Sequence, residues 1–317
     1  MKKRNLGDSD IKVAPLMFGG NIFGWTVDEK TSFEILDAFV DGGFDFIDTA
    51  DVYSAWAPGN KGGESEVIIG NWMKARKNRS KVILATKVGH DLIPETKGLS
   101  KKNIHLAVEA SLKRLQTDYI DLYQSHKDDL TVPVEETLEA YSELIRAGKV
   151  RVIGASNFTA PRLSEALTAS ERKHLPSYQS LQPLYNLYDR QDYEAELEAV
   201  CEKNNLGVIP YFSLGSGFLT GKYRTTADLA KYPRGSRVEK YMNDRGMRIL
   251  KALDQVSAEK HCTIAQVAVA WVIARPSITA PIASATTLEQ LEGLMGATGV
   301  QLDPESMKLL NSASQLS

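Results

Sequence analysis

Eight short apolar runs, separated by stretches of helical pattern, constrain this chain more than any other feature of its sequence. The runs are "VAPLMFG" (13–19), "FDFID" (44–48), "VILATK" (82–87), "YIDLYQSH" (119–126), "VRVIGAS" (150–156), "YQSLQ" (178–182), "GVIPYFS" (207–213) and "ITAPIAS" (278–284). Their near-continuous apolar character suits strands buried on both faces, as in a parallel sheet. Between them lie "TSFEILDAFVDGG" (31–43), "NIHLAVEASLKRLQ" (103–116) and "VEETLEAYSELIRAGK" (134–149), with apolar residues at helical spacing. The last follows a proline and ends at a glycine, as helices tend to. Alternating units of this kind demand right-handed crossovers, and eight of them closing on themselves give an α/β fold, the (β/α)8 TIM barrel. An open doubly wound sheet is the alternative.

Three segments depart from the alternation. Residues 4–13, "RNLGDSDIKV", read as a β-hairpin turning on "GDSD" and plugging the bottom of the barrel. Residues 214–243 form an excursion after the seventh run, too long for a structureless connection without a function. The tail "DPESMKLLNSASQLS" opens with a helix N-cap pattern at Asp303, so a C-terminal helix is expected on the outside. No linker or low-complexity stretch divides the chain, and residues 1–317 read as a single domain.

The net charge of −2 gives no electrostatic reason to expect nucleic acid or an anionic membrane surface as partner. No stretch approaches the roughly 18 apolar residues of a membrane span, and the basic start "MKKRNLGDSD" lacks the apolar core of a signal peptide. Cys201 and Cys262 are too few for a disulfide framework and lack metal-ligand spacing. Both fall in helix-like stretches and read as buried thiols, which makes a reducing cytoplasm the expected compartment.

In barrels the chemistry sits on the face where strands end. The second run ends on Asp48 and leads to Tyr53, the third ends on Lys87 and the fourth on His126. Taken singly, each has an ordinary reading as a turn residue, a packing aromatic, a solvated cation or a satisfied polar group. Adjacent parallel strands lie only about 4.8 Å apart, so the four can converge. Together they make chemical sense. A tyrosine phenol titrates near a pKa of about 10, too high for easy proton exchange. A neighbouring ammonium stabilises the phenolate and is expected to pull that value down. Asp48 would hold the ammonium, and His126 would orient a substrate oxygen or relay the proton.

"DTADVYS", "ATK" closing at Lys87 and "DLYQSH" resemble the Asp, Tyr, Lys and His signatures of the aldo-keto reductase superfamily. The resemblance covers nearly the whole chain, because further motifs recur in order. "GASNF" (154–158) resembles the family segment whose Ser and Asn, here Ser156 and Asn157, hold the nicotinamide carboxamide; "LQPLYN" supplies Gln182. "PYFSLGSGFLTGKY" (210–223) resembles the segment whose aromatic, here Tyr211, stacks under the nicotinamide. There Ser213 and Leu214 lead into a loop, with Gly217 and Lys222, that covers the pyrophosphate. The resemblance implies an oxidoreductase that reduces a small-molecule aldehyde or ketone, possible sugar derivatives included, to an alcohol with NADPH and without a metal. "FLTGKY" and the fairly short loops resemble the bacterial and potassium-channel-β-subunit side, for which a redox-sensing subunit with little turnover is the alternative.

Two other readings are weaker. "GSGFLTG" has the spacing G-x-G-x-x-x-G, which is not the dinucleotide fingerprint. A metal-dependent hydrolase built on His126, Asp128 and Asp129 of "HKDD" would need ligands that "FGGNIFG" (18–24) does not offer.

The sequence departs from the family after the eighth run, in "IASATTLEQLEGL" (282–294). Ser284 and Thr286 stand where Ser or Ala and then Arg or Lys are frequent, Gln290 is retained, and Leu294 replaces a frequent asparagine. A missing arginine removes a charge-assisted contact to the adenosine 2′-phosphate, which leaves NADH open beside NADPH. Lys222 and Arg237 of the long excursion are the cations available to replace it. Trp25, Trp56 and the loop "SAWAPGNKGGES" are expected at the mouth near Tyr53, with Lys61, Gly62 and Gly63 making that loop mobile.

Overall fold

The computed structural model describes residues 1–232 and 235–315. Residues 233–234 of the excursion and 316–317 of the tail lie outside the described residues. A short antiparallel pair, β1 (Arg4–Asn5) and β2 (Lys12–Val13), precedes eight parallel strands. These are β3 (Met17–Gly19), β4 (Phe46–Asp48), β5 (Ile83–Val88), β6 (Ile120–Ser125), β7 (Val150–Ser156), β8 (Tyr178–Gln182), β9 (Gly207–Val208) and β10 (Ile282–Ala283). Their order is β10-β3-β4-β5-β6-β7-β8-β9.

Hydrogen bonds on both sides of β10 close the ring. Thr279 N donates to Val208 O at 2.8 Å and Ile282 N to Pro210 O at 2.8 Å, while Met17 N donates to Pro281 O at 2.9 Å. The fold is therefore a (β/α)8 barrel and not the open sheet. β9 and β10 are short because Pro210 and Pro281 carry no N–H for the ladder. All eight expected runs contribute a barrel strand, although the first covers two elements. Val13 belongs to the hairpin, and only Met17–Gly19 pairs with β4 and β10.

Inside the barrel, Met17, Phe46, Ala85, Leu122, Ile209, Ala280 and Ile282 pack with Leu6, Ile11 and Val13 of the hairpin. The hairpin thus plugs the end where the strands begin, as the sequence suggests. That end of the barrel interior is filled by apolar side chains.

The helices are α1 (Glu29–Asp41), α2 (Glu64–Arg76), α3 (Lys101–Leu115), α4 (Val134–Arg146), α5 (Ala160–Lys173), α6 (Glu198–Lys203), α7 (Gly235–Val238), α8 (Asp244–Lys260), α9 (Ile264–Ala274), α10 (Leu288–Gly296) and α11 (Pro304–Ser314). Asp303 caps α11 by accepting from Ser306 N, and Asn311 of this helix accepts from Trp271 Nε1 of α9 at 2.9 Å. The expected outer helix is present. The excursion folds into short 3-10 turns at Gly215–Thr220, Thr226–Lys231 and Glu239–Tyr241, besides α7.

Cys201 is buried in α6, but Cys262 lies half-exposed in the turn between α8 and α9. The expectation of two buried helical thiols fails there, because His261 ends α8 with φ 52° and turns the chain outward. Among the described residues, no helix is long and apolar enough to cross a membrane.

Candidate active site

The register fixes which strand-end residues can meet. Asp48 pairs with Gly19 on one side and Ala85 on the other, and Lys87 pairs with Gln124. Asp48 and Lys87 are buried, and Lys87 Nζ lies 2.6 Å from Asp48 Oδ2. The chain then turns so that Tyr53 returns over both. Lys87 Nζ is 2.7 Å from the Tyr53 hydroxyl oxygen, and that hydroxyl is 3.0 Å from Asp48 Oδ2. Lys87 also donates to Thr49 O at 2.9 Å. The His126 ring stands 5.9 Å from the Tyr53 ring, nearly perpendicular to it at 75°. All four sequence candidates share one small volume.

The electrostatics differ from the expected tuning of the tyrosine. Burial, followed by the adjacent Asp48 carboxylate, holds the Tyr53 phenol well above its ordinary value. With nothing else bound, Tyr53 is a protonated acid and not a phenolate. Burial likewise lowers Lys87, with Asp48 opposing the shift. Burial first, then the Lys87 and His90 charges, push His126 far below its ordinary value, so its imidazole is neutral. Its Nδ1 is buried without a protein partner.

Two amides complete the setting of Asp48. Gln182 Nε2 donates to Asp48 Oδ1 at 3.1 Å and to Gln124 Oε1 at 3.1 Å, while Gln124 Nε2 lies 3.4 Å from Asp48 Oδ1. A buried carboxylate needs such donors. Gln124 was not among the sequence candidates, although an amide inside the apolar run "YIDLYQSH" was a usable signal. His90, 4.8 Å from His126 ring to ring, was missed too.

The residues on the far side of Tyr53 form a second group. Ser156 Oγ donates to Gln182 O at 2.9 Å. Asn157, in the left-handed region at φ 55°, donates to His126 O at 2.9 Å and accepts from the Tyr211 hydroxyl at 2.8 Å. Tyr211 is half-buried at the end of β9. Next to it, Ser213 Oγ donates to Ile282 O at 2.9 Å. Leu214 then leads into Gly215, Ser216 and Gly217, at φ 53°, 56° and 97°. Gly215 N and Gly217 N close this turn on Phe212 O and Leu214 O, at 2.7 and 2.9 Å. Ser284 Oγ donates to Gly19 O at 2.7 Å, and a Cβ on Gly19 would come within 2.7 Å of that oxygen. Thr286 N and Oγ1 both donate to Gln290 Oε1, at 3.0 and 3.1 Å.

The family profile of the aldo/keto reductase family matches residues 15–315. The chain belongs to the aldo/keto reductase family. Among its relatives, an uncharacterised oxidoreductase of Bacillus subtilis, YrpG, is 36% identical, covering 98% of this chain and 95% of the relative. The aldo-keto reductase YhdN of the same organism is 34% identical, covering 98% and 93%. A probable voltage-gated potassium channel subunit beta of Arabidopsis thaliana is also 34% identical, covering 95% and 92%.

In this aldo/keto reductase the two cations offered by the excursion lie apart. Lys222 Nζ stands 4.6 Å from the Tyr232 ring centroid and 5.3 Å from that of Tyr223. Arg237 Cζ lies 5.7 Å from the centroid of the Trp25 ring. Trp25 and Trp56 do line the mouth near Tyr53, 5.8 Å apart. The loop that follows Trp56, through Lys61, Gly62 and Gly63, carries several hydrogen bonds. Glu64 accepts from Lys61 N at 2.7 Å and Gly62 N at 3.0 Å, and Asn60 donates to Gly24 O at 2.8 Å. The hydrolase constellation does not form. Asp128 pairs with Arg162 at 3.0 Å, and Asp129 accepts from Leu99 N at 2.9 Å, away from His126.

Proposed function

We propose that this chain, acting as one domain, reduces an aldehyde or ketone to an alcohol with NADPH as first cofactor and NADH as second. Tyr53 is the general acid. One observation carries the reading: Lys87 Nζ touches both the Tyr53 oxygen, at 2.7 Å, and Asp48 Oδ2, at 2.6 Å. That geometry suits a phenol which must lose its proton during turnover.

The residues present suit a nicotinamide dinucleotide. Tyr211 offers a half-buried ring beside Ser156, Asn157 and Gln182, and the turn at 215–217, closed by Gly215 N and Gly217 N on Phe212 O and Leu214 O, would lie against a pyrophosphate. The N-terminus of α10, near Thr286 and Gln290, and the Ser284 hydroxyl would hold the adenosine end. Lys222 of the excursion would close over the phosphates. Bound there, the nicotinamide supplies a hydride to the carbonyl carbon.

The protein side of the reaction follows from the resting charges. His126, neutral by burial, donates a hydrogen bond to the carbonyl oxygen and orients it. Tyr53, held protonated, gives that oxygen its proton. The phenolate left behind faces the Lys87 ammonium, which stabilises it where charge develops. Asp48 fixes Lys87, and Gln182 and Gln124 fix Asp48. In alcohol oxidation the same phenolate is the base.

Quenching of NADPH fluorescence followed by turnover of a carbonyl panel tests the reading. Consumption of NADPH with aldehydes supports it. Tight NADPH binding with no turnover would favour a cofactor-binding regulatory subunit, the reading that the plant channel-subunit relative suggests.

A further inference from the structure

An aromatic wall runs outward from the reaction centre and ends in a cation. The Tyr53 ring meets Trp56 at 6.0 Å, Trp56 meets Trp25 edge-on at 5.8 Å, and the Arg237 guanidinium lies 5.7 Å from the Trp25 ring. Trp25 and Trp56 are both half-exposed.

Arg237 is held differently from its neighbours. Arg224 of the same excursion is locked on Asp254 at 2.7 Å, and Lys240 pairs with Asp189 at 3.1 Å. Among the described residues, no carboxylate is paired with Arg237, which is exposed and rests on an indole face. Stacking occupies the face of a guanidinium and leaves its in-plane N–H fork open, the geometry that matches a carboxylate or phosphate. An aromatic surface suits a flat apolar body, and the cation at its outer end suits a negative charge.

Resting on the carbonyl-reductase reading, we propose that the substrates are elongated, ring-bearing aldehydes or ketones. They carry an anionic oxygen group at the end remote from the carbonyl, which Arg237 receives. The carbonyl lies at Tyr53 and His126, the ring against Trp56 and Trp25, and the anion at Arg237.

The test uses NADPH and matched aldehydes: para-carboxybenzaldehyde, its biphenyl homologue with the carboxylate one ring farther out, and the methyl-substituted neutral partner of each. The expected result is at least a tenfold higher kcat/KM for the carboxylated biphenyl than for its neutral partner. The gain should lie in KM and fade with added salt. The shorter pair should differ less, since its carboxylate falls short of the rim. Arg237→Gln should bring the charged-to-neutral ratio near one, and Arg237→Lys should restore part of it. A wild-type ratio near one, or a ratio unchanged in Arg237→Gln, overturns the proposal. So does a rise in the KM for NADPH matching that for the charged aldehyde, because Arg237 would then serve the cofactor. If no aldehyde is consumed, the carbonyl-reductase reading fails by itself. Calorimetric titration of the NADPH-loaded protein with the carboxylated biphenyl, wild type against Arg237→Gln, then decides the subsite by the presence or absence of an Arg237-dependent affinity.

Discussion

Gln182 donates to Asp48 Oδ1 at 3.1 Å across the barrel mouth, joining the end of β8 to the end of β4. The same glutamine takes a bond from Ser156 on its backbone oxygen, at 2.9 Å. The proposed cofactor side and the proposed proton-transfer side therefore meet at one residue, the first through its backbone oxygen and the second through its side chain. Gln182→Leu removes an amide donor from a buried carboxylate and should lower both functions together. Turnover should fall roughly tenfold or more, in line with the cost of about 1.5–3 kcal/mol for a hydrogen bond to a charged group. NADPH affinity should weaken in the same variant. Fluorescence titration and steady-state kinetics read the two effects, and a loss confined to one of them would uncouple the sides.

Tyr53→Phe keeps the ring between Trp56 and His126 but removes the acid. The chemical step should slow by roughly two to four orders of magnitude, the usual worth of a positioned general acid. NADPH affinity should change little. Single-turnover kinetics with preloaded NADPH isolates the step, and wild-type rates there would remove Tyr53 from its assigned role.

The barrel was legible because strands buried on both faces are apolar throughout, and the helices between them keep a separate period. Val13 falls in both the first apolar run and the expected hairpin of residues 4–13, and its pairing with Arg4 assigns it to the hairpin. The convergence of Asp48, Tyr53, Lys87 and His126 was legible because each titratable residue closes, or follows, an apolar run. What supports them was not. Glu66 sits on α2, where an acid normally faces water, yet it is buried between Thr86 and Arg114, with 2.6 Å to each. Only tertiary packing reveals that. The direction of the Tyr53 shift was also hidden, because burial and Asp48 outweigh the lysine.

Thr286 carries no charge, and its N–H and hydroxyl are already engaged with Gln290. Thr286→Arg should tighten NADPH binding about ten- to a hundredfold, if a charge-assisted contact of about 1.5–3 kcal/mol forms, at 1.4 kcal/mol per tenfold. NADH has no 2′-phosphate, and its affinity should stay within about twofold on the same scale. Parallel titrations with both cofactors measure the ratio. An equal effect on the two would mean that residue 286 does not face the 2′ position.

Asp51 is the buried acid whose charge the fold tolerates least. Burial, and then the Glu66 carboxylate, raise its pKa from 3.8 to about 8, against the weaker pull of Arg114 and Lys87; its Oδ1 has no protein partner. The unfolded chain releases this proton near its ordinary value, so between about pH 4 and pH 8 the folded state holds more protons than the unfolded state. The stability tied to the neutral acid is complete below that window and is lost as pH rises through it. Asp51→Asn keeps the shape and cannot ionise. Its melting temperature should match the wild type at the acid end and exceed it increasingly toward pH 8. The difference there should be on the order of a few kcal/mol, or several degrees. Thermal melts of both proteins across this range check the slope. A constant offset between the curves would show that Asp51 does not titrate in the folded protein.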